Sequence, residues 1–377
     1  MTTATKERKT KTTRSAGITI TAGELKAALQ AVDAAVSNGN AKPILNNVLL
    51  SGGVLTGTDL EMRVDHEIGV GDGVSVLLPY QRLKAIAGAV GPFTEVSIDV
   101  SGSKATVMAG RSVWTLPTED PLEFPGFTSD ERVSVCRLPS DQFARAIRAT
   151  IYATDPDSSR YALGAIQLEV AGDEATFIAT DGRRLSTATA EHDQAVDNSE
   201  TLIPVRAAKL MARLADQFGG EGSVQLEKAG GTLIATIGKT TVSAQIVQGR
   251  FPKWRDVFPE RDVKSAVVDR LLLSGAVTAA AIVTSEQSKG VDFSFGGTGI
   301  GLHGVSSEYG ESDVTVDIVE PGETTKIKLD PVFVREFLSG LPGDEEPNVE
   351  IEVVDATSAA VFRCGPYRGV IMPLALD

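Results

Sequence analysis

The chain has 377 residues, of which 42% are hydrophobic and 23% charged, a composition typical of a globular protein with two or three domains. This composition excludes a collagen-like or wholly disordered chain, and no run of residues approaches the roughly 18 apolar positions of a membrane-spanning helix. The net charge of −14 argues against nucleic-acid binding by the surface as a whole. Such binding would require the basic residues to be gathered on one face.

The two cysteines, Cys136 and Cys364, are too few for a disulfide framework, and neither they nor the three histidines show metal-ligand spacing. The first residues contain no apolar segment of the kind found in a secretory signal. We therefore expect a cytoplasmic protein without a metal, a cofactor or a membrane association.

The N-terminal segment is basic and has no large apolar side chain after Met1. We predict that residues 1–16 form a disordered tail, because such a segment cannot contribute to a core. Its role stays open between a solvated leader and weak phosphate binding.

Beyond the tail, the chain repeats a pattern of helix, strands, second helix and further strands three times, with a period near 120 residues. The first helices are predicted from Thr21, Leu138 and Asp269, and Thr21 and Ser140 are candidate N-caps. The second helices are predicted from Leu77, Ile203 and Asp330. Each second helix has a proline near its first turn, at Pro79, Pro204 and Pro331.

The strand-like runs between these helices contain matching positions. Gly57-Thr58-Asp59 and Ala179-Thr180-Asp181 are 122 residues apart, and we place the third equivalent near His303-Gly304-Val305. Linkers are expected at 118–130 and 255–266, which both contain proline and acidic residues. The pattern predicts an α+β fold of three similar domains, each with two helices packed on antiparallel sheets.

Charge is distributed unevenly between the helices and the rest of the chain. The six predicted helices carry a net charge of +3, which leaves −17 on the remainder. Arg145 and Arg148 lie on one helical stripe, and Arg206, Lys209 and Arg213 lie on another. A basic stripe without aromatic residues suits duplex phosphates better than stacked single-stranded bases, although basic helix surfaces are often only solvated.

The number of helices limits how such a protein could surround a duplex. Six helices packed in a ring at about 8–10 Å spacing leave an opening of about 5–9 Å, whereas twelve leave about 21–28 Å. A chain with six helices could therefore encircle DNA only as a dimer with head-to-tail contacts.

Several motifs, in order, carry a resemblance to a known family. They are KPILNNVLL with LTGTDLEMRV, LEVAGDEATFIATDGRRLS, QGRFPKWRDVFP, AIVTSEQSKGV and the C-terminal YRGVIMPLAL. From Gly17 to Leu376 the chain resembles the bacterial β sliding clamps, the processivity subunits of DNA polymerase III. The resemblance implies a non-catalytic clamp that encircles duplex DNA as a head-to-tail dimeric ring and confers processivity, with clamp domains at 17–127, 128–258 and 259–377.

The resemblance also implies a pocket that binds short peptide motifs of the DNA polymerase III alpha subunit, the clamp loader and other clamp-motif proteins. The matching positions are Leu163, Thr180, Gly182, Arg183, Arg184, Leu185, Pro252, Val257, Val370, Ile371, Met372, Pro373 and Leu374. Leucine, proline and methionine at these positions could form a concave apolar surface, although core packing is the alternative for several of them.

Two further surfaces follow from the same resemblance. The candidates for sequence-independent DNA contact are Lys26, Arg82, Lys84, Arg145, Arg148, Arg160, Tyr161, Arg206, Lys209 and Arg213. At the homodimer interface, Trp114 and Leu116 of one chain are expected to meet Leu271 and Leu272 of the other.

The sequence departs from the family pattern at several positions. Ala375 and Asp256 replace residues that are often basic in the family, and Asp377 extends the C-terminus. The loop Ser37–Lys42 lacks an arginine that some members carry, and Lys42 could take its place.

Two other classes of function are compatible with the same sequence features. One is an enzyme acting on phosphate esters at Asp181, Arg183 and Arg184, for which the alternative is an Asp-Gly turn with arginines at the pocket rim. The other is a three-domain scaffold that binds peptides but not DNA.

Overall fold

The computed structural model describes residues 16–36, 42–126, 131–155, 157, 162–192, 198–218, 221–258, 263–285, 290–343 and 347–375. The predicted tail lies almost wholly outside these residues, as do Arg160, Tyr161, Leu376 and Asp377 and most of the loop that follows Ser37. The chain divides into two compact units, one of residues up to Thr128 with Lys239–Val242, and one of Ser129–Gly238 with Ser243–Asp377.

The elements of the first unit are β1 Ala16–Thr21, α1 Ala22–Val32, β2 Asn47–Ser51, β3 Val54–Thr58, β4 Met62–Glu67, β5 Ser75–Pro79, α2 Tyr80–Ala89, β6 Glu95–Ser101, β7 Lys104–Ala109 and β8 Ser112–Pro117. They form two antiparallel four-stranded groups, in the orders β1-β6-β7-β8 and β5-β2-β3-β4.

The second unit repeats the same order of elements twice. The first copy is β9 Val133–Pro139, α3 Ser140–Ile151, β10 Ala165–Ala171, β11 Glu174–Thr180, β12 Arg184–Glu191, β13 Ser199–Pro204, α4 Val205–Phe218, β14 Ser223–Ala229, β15 Thr232–Ile237 and β16 Thr240–Gln245. The second copy is β17 Ala266–Asp269, α5 Arg270–Ala280, β18 Val291–Gly296, β19 Gly299–Ser306, β20 Gly310–Asp317, β21 Thr325–Leu329, α6 Pro331–Gly340, β22 Asn348–Glu352, β23 Ala360–Cys364 and β24 Tyr367–Ile371.

One module therefore occurs three times in the described part of the chain. Each module runs strand, helix, four strands, helix, three strands, and this confirms the predicted α+β repeat with two helices a domain. In the second unit, β12 pairs with β24 and joins two modules into one eight-stranded sheet, in the order β13-β10-β11-β12-β24-β23-β22-β17.

The residues at the starts of four helices show where each helix begins relative to the prediction. Thr21 caps α1, with a capping box in which its hydroxyl accepts from the Glu24 amide at 3.2 Å. The prediction for Ser140 is wrong: Pro139 is the N-cap and Ser140 is the first helical residue. Pro79 likewise precedes α2 as its N-cap, whereas Pro331 opens α6 and removes an amide that has no helical partner.

The matching Thr-Asp positions are turns with the same hydrogen bonds. The Thr58 hydroxyl accepts from the Leu60 amide at 3.1 Å, and the Thr180 hydroxyl accepts from the Gly182 amide at 3.1 Å. Leu60 and Gly182 share a left-handed backbone, with φ of 83° and 87°.

The third equivalent of this turn is not at His303–Val305, which lies inside β19. It begins at Ser306, whose hydroxyl accepts from the Glu308 amide at 3.3 Å. The equivalent of Thr58 and Thr180 is therefore Ser306, two residues after the predicted position at Gly304.

Candidate functional site

The pairing of β12 with β24 assembles the predicted pocket residues from distant parts of the sequence. Leu185 lies opposite Val370 and Arg184 opposite Ile371, and beyond the strand the Met372 amide donates to the Arg183 carbonyl at 2.9 Å. The Thr180 turn leads directly into β12. The structure therefore brings together residues 180–185 and 370–372, which the sequence separates by about half of the chain.

An apolar cluster forms the floor of this site. Ile178, Leu185, Ala359, Val361 and Val370 are buried together, and the half-buried rings of Phe251, Trp254 and Phe258 pack against them. These rings belong to the segment that also contains Pro252 and Val257. Burial of this surface against apolar neighbours is the interaction a peptide with leucine or phenylalanine side chains would extend.

The remaining predicted pocket residues differ in exposure. Met372 and Val257 are exposed, Pro373 and Leu374 are half-buried, and Leu163 is buried just before β10. The Leu374 amide donates to the Lys328 carbonyl at 2.8 Å, so the C-terminal segment is held beside β21.

Arg184 is held in place by the protein itself. Its side chain, 10% exposed, donates to Asp181 at 3.0 Å, to Glu336 of α6, and to the Tyr152 carbonyl at 2.5 Å. The guanidinium also lies 4.3 Å from the centre of the Phe333 ring. Arg184 thus joins β12 to the end of α3 and to α6, whereas Arg183 is exposed.

The alternative phosphate site at Asp181 finds no support in this geometry. The Asp181 carboxylate accepts from the amides of Arg183 and Arg184 at 2.9 and 3.0 Å, as in an Asx turn. Its second oxygen binds the Arg184 guanidinium. The Asx turn and the ion pair therefore account for Asp181 and Arg184 without a phosphate ligand.

Sequence reasoning missed the residues that shape the pocket wall. Phe251 and Trp254 belong to the motif QGRFPKWRDVFP but were not assigned to the pocket, Phe258 lies in the expected linker 255–266, and Glu169 lies in a mostly apolar strand. The Trp254 indole donates to Glu169 at 2.7 Å, and the Arg255 guanidinium binds the other oxygen of Glu169 at 2.6 Å. The sequence signal that could have identified Glu169 is its charge within the mostly apolar run of β10.

A groove between α3 and α4 carries several of the DNA candidates. Its volume is about 390 Å³, and Arg148, Lys209 and Arg213 line it together with apolar residues such as Ile147 and Ile151. Arg206 is exposed on α4, and Arg145 is half-buried with Asp141 at 3.9 Å. Sequence-independent contact with phosphates requires such a row of cations and little else.

Acidic residues partly neutralise this basic surface. Arg148 pairs with Asp216 across the two helices, and both side chains are about half exposed, at 48% and 49%. In the first unit, Lys84 donates to Asp33 at 3.0 Å, while Lys26 and Arg82 are exposed.

The predicted interface residues fall into two groups. Leu271 and Leu272, at the start of α5, are 72% and 58% exposed, and Trp114 is half-buried on β8, the edge strand of its sheet. Leu116 is buried within the first unit, because it points to the side of β8 opposite the exposed Val113 and Thr115. Leu116 is therefore a core residue here, and its predicted contact with another chain receives no support.

The described residues meet neither the requirements of a metal site nor those of a membrane-spanning helix. In the described ranges, no group of three histidine, cysteine or acidic side chains is placed to hold a metal ion. None of the described helices is long and apolar enough to cross a bilayer.

The profiles of one protein family match three successive parts of the chain. The N-terminal, central and C-terminal domains of the DNA polymerase III beta subunit match residues 17–128, 137–253 and 255–369. The chain belongs to the DNA polymerase III beta subunit family. Members of this family are non-catalytic processivity factors, which confirms the prediction that the protein is not an enzyme.

Relatives of this family cover nearly the whole chain. The beta sliding clamp of Haemophilus influenzae is 25% identical and that of Escherichia coli K12 is 26% identical, each over 92% of this chain and 96% of the relative. A sliding clamp of Pseudomonas aeruginosa bound to griselimycin has a TM-score of 0.88 at 25% identity, covering 96% of this chain and 100% of that one. The Bacillus subtilis sliding clamp has the same TM-score, 0.88, at 19% identity, so the fold persists where little of the sequence does.

Proposed function

We propose that the protein acts as a DNA sliding clamp, a non-catalytic tether that keeps a DNA polymerase on its template. The observation that carries this proposal is the threefold repeat of one module, each copy matched by a domain of the beta subunit family. A tether needs a surface for DNA and a surface for its cargo, and it needs no reactive group.

The repeat and the exposed leucines of α5 support the proposal of a ring. We propose clamp domains at 17–127, 128–258 and 259–377, and a head-to-tail homodimer in which Leu271 and Leu272 meet the edge strand that carries Trp114. Two adjacent leucines exposed to this degree are the kind of apolar patch that marks a contact between chains. The groove residues Arg148, Lys209 and Arg213 would then face the duplex.

The cargo surface is the apolar cluster around Leu185 and Val370. Its partners are the DNA polymerase III alpha subunit, the clamp loader and other proteins with a short apolar motif, which would bind it in the cytoplasm. Exposed Met372 at its edge suits partners of different sequence, because a methionine side chain adapts its shape.

The experiment for the ring measures topological attachment. The protein is loaded onto a nicked circular plasmid with a clamp loader, its mass is measured by light scattering, and its retention is compared before and after the plasmid is linearised. We expect a dimer that remains on circles and leaves linear ends. A monomer at micromolar concentration, or equal loss from both forms, would contradict the proposal.

The experiment for the pocket shortens the C-terminus. A chain that ends at Met372 loses Pro373 and Leu374 but keeps β24, so the sheet should persist. We expect it to lose binding to a peptide copied from the host polymerase alpha subunit while its dimer mass is unchanged. An unchanged peptide affinity would remove residues 373–377 from the pocket.

A further inference from the structure

Glu169 is a buried carboxylate on β10, where every other residue except Gln167 is apolar. The side chain is 11% exposed, and three donors surround it. The Gln167 amide and the Trp254 indole each donate to Oε1 at 2.7 Å, and Arg255 donates to Oε2 at 2.6 Å. A charge this deeply buried is retained only where such partners compensate for the loss of water.

Two of these partners also shape the apolar pocket. The Trp254 ring packs against the floor cluster of Ile178, Leu185 and Val370, and it meets the Phe258 ring edge-on at 5.9 Å between centroids. The Arg255 guanidinium lies over the indole ring, 4.2 Å from its centre. Glu169 therefore fixes both the edge and the covering group of the ring that forms the pocket wall.

The segment that carries Trp254 is tied to the rest of the unit by backbone hydrogen bonds at its beginning, from the Ile246 and Val247 amides to the Gly231 and Leu202 carbonyls. Between residues 246 and 258 it contains only one short 3-10 turn, Trp254–Val257. The segment also lines a cavity of about 680 Å³ together with Glu169 and Glu200. Among these lining residues, Glu169 accepts the indole hydrogen bond of Trp254.

We propose that Glu169 is a positioning residue for the peptide pocket, acting through Trp254 and Arg255 without touching the ligand. This inference rests on the proposed function of the pocket. In this proposal, the Glu169 side chain determines the shape of the pocket wall that contains Pro252, Trp254 and Val257. Peptide affinity in the pocket then depends on the ionic contact between Glu169 and Arg255.

The variants separate positioning from general damage to the sheet. Glu169→Ala removes all three hydrogen bonds, and Glu169→Gln keeps an oxygen for the indole but loses the charge. Trp254→Phe removes the indole donor together with part of the ring surface and leaves Glu169 in place. Glu200→Ala is the matched control, because Glu200 lies directly opposite Glu169 on β13 and lines the same cavity, yet is exposed. The melting temperature of each variant records folding.

Two measurements on the full-length chain are made together. Griselimycin, which the Pseudomonas aeruginosa relative binds, serves as the pocket probe in calorimetric titrations. Labelling with 5-fluorotryptophan gives a separate fluorine resonance for each of the two tryptophans, and Trp254→Phe assigns them.

We expect Glu169→Ala to weaken griselimycin binding about tenfold or more and to shift or broaden the Trp254 resonance. Glu169→Gln should lose less, and Glu200→Ala should stay within about twofold of the wild type. In the double variant of Glu169→Ala with Trp254→Phe, the losses should not multiply, because both changes break the same contact.

Each contrary result has a distinct meaning. If the wild type binds griselimycin and Glu169→Ala binds equally well with an unmoved Trp254 resonance, the positioning role is overturned. Losses that multiply in the double variant also overturn it. If the wild type itself does not bind griselimycin, the pocket assignment fails, and the role of Glu169 in that pocket fails with it.

Discussion

The pair between Arg148 and Asp216 predicts that removing an acid should strengthen DNA binding. In the α3–α4 groove the Asp216 carboxylate occupies the Arg148 guanidinium, which would otherwise be available to a phosphate. The variant is Asp216→Asn, which keeps the shape of the side chain and removes its charge. We expect tighter binding to duplex DNA without a change in fold.

The size of the effect follows from exposure and counterion release. Because both side chains are about half exposed, the pair itself contributes only about 0–1 kcal/mol to stability, so its loss should scarcely affect folding. One additional phosphate contact steepens the dependence of log K on log salt by about 0.9. Between 50 and 200 mM salt, the advantage of the variant should therefore shrink by about 3.5-fold.

Fluorescence anisotropy of a labelled duplex, measured across this range of salt, gives both the affinity and the slope. Asp173→Asn is the matched control, because it changes the net charge equally at an exposed turn between β10 and β11. If both variants bind more tightly by the same factor, only the overall charge matters. The reasoning about Arg148 is then wrong.

Three other changes test separate features of the fold. Leu60→Gly should raise the free energy of unfolding by about 0.5–1 kcal/mol in urea titrations, because leucine is strained at a φ of 83°, and Leu60→Ala should give no such gain. Burial lowers the pKa of His66 in the folded protein. The contribution of His66 to stability is therefore full above about pH 6.5, where the same side chain is also neutral in the unfolded chain, and it is lost as the pH falls through the lower folded-state pKa. In His66→Gln, the decline of melting temperature between about pH 7 and pH 5 should be smaller, and an identical decline would contradict this account. Serine at both Leu271 and Leu272 should convert the dimer to a monomer in light scattering, and an unchanged mass would place the interface elsewhere.

Local signals in the sequence predicted the repeated module well. The cap at Thr21 and the shared Thr-Asp turns depend on short stretches of chain, and both have the hydrogen bonds that the residue types imply. Ser140 failed as a cap because Pro139, with φ of −54° and ψ of 135°, already occupies the N-cap position and Ser140 is the first helical residue. That choice moved the start of the helix by one residue.

The pocket was predictable only in part, because its wall depends on contacts between distant residues. Leu185 and Val370 could be placed there by resemblance, but the pairing that aligns them joins strands about 185 residues apart. Glu169 and Trp254 are also far apart in sequence, and neither belongs to a pattern that periodicity detects. The inward orientation of Leu116 was likewise not predictable, since an alternating strand does not reveal which of its faces is turned inward.

The many bonds of Arg184 affect how the pocket could change under selection by an inhibitor. A compound that binds chiefly through the exposed Met372 or Val257 could be evaded by a single substitution at little structural expense. A compound that relies on Arg184 would be harder to evade, because replacing this arginine leaves Asp181 and Glu336 without their cation and loosens α6 from the sheet. Resistance by that route would arise only with a weakened clamp.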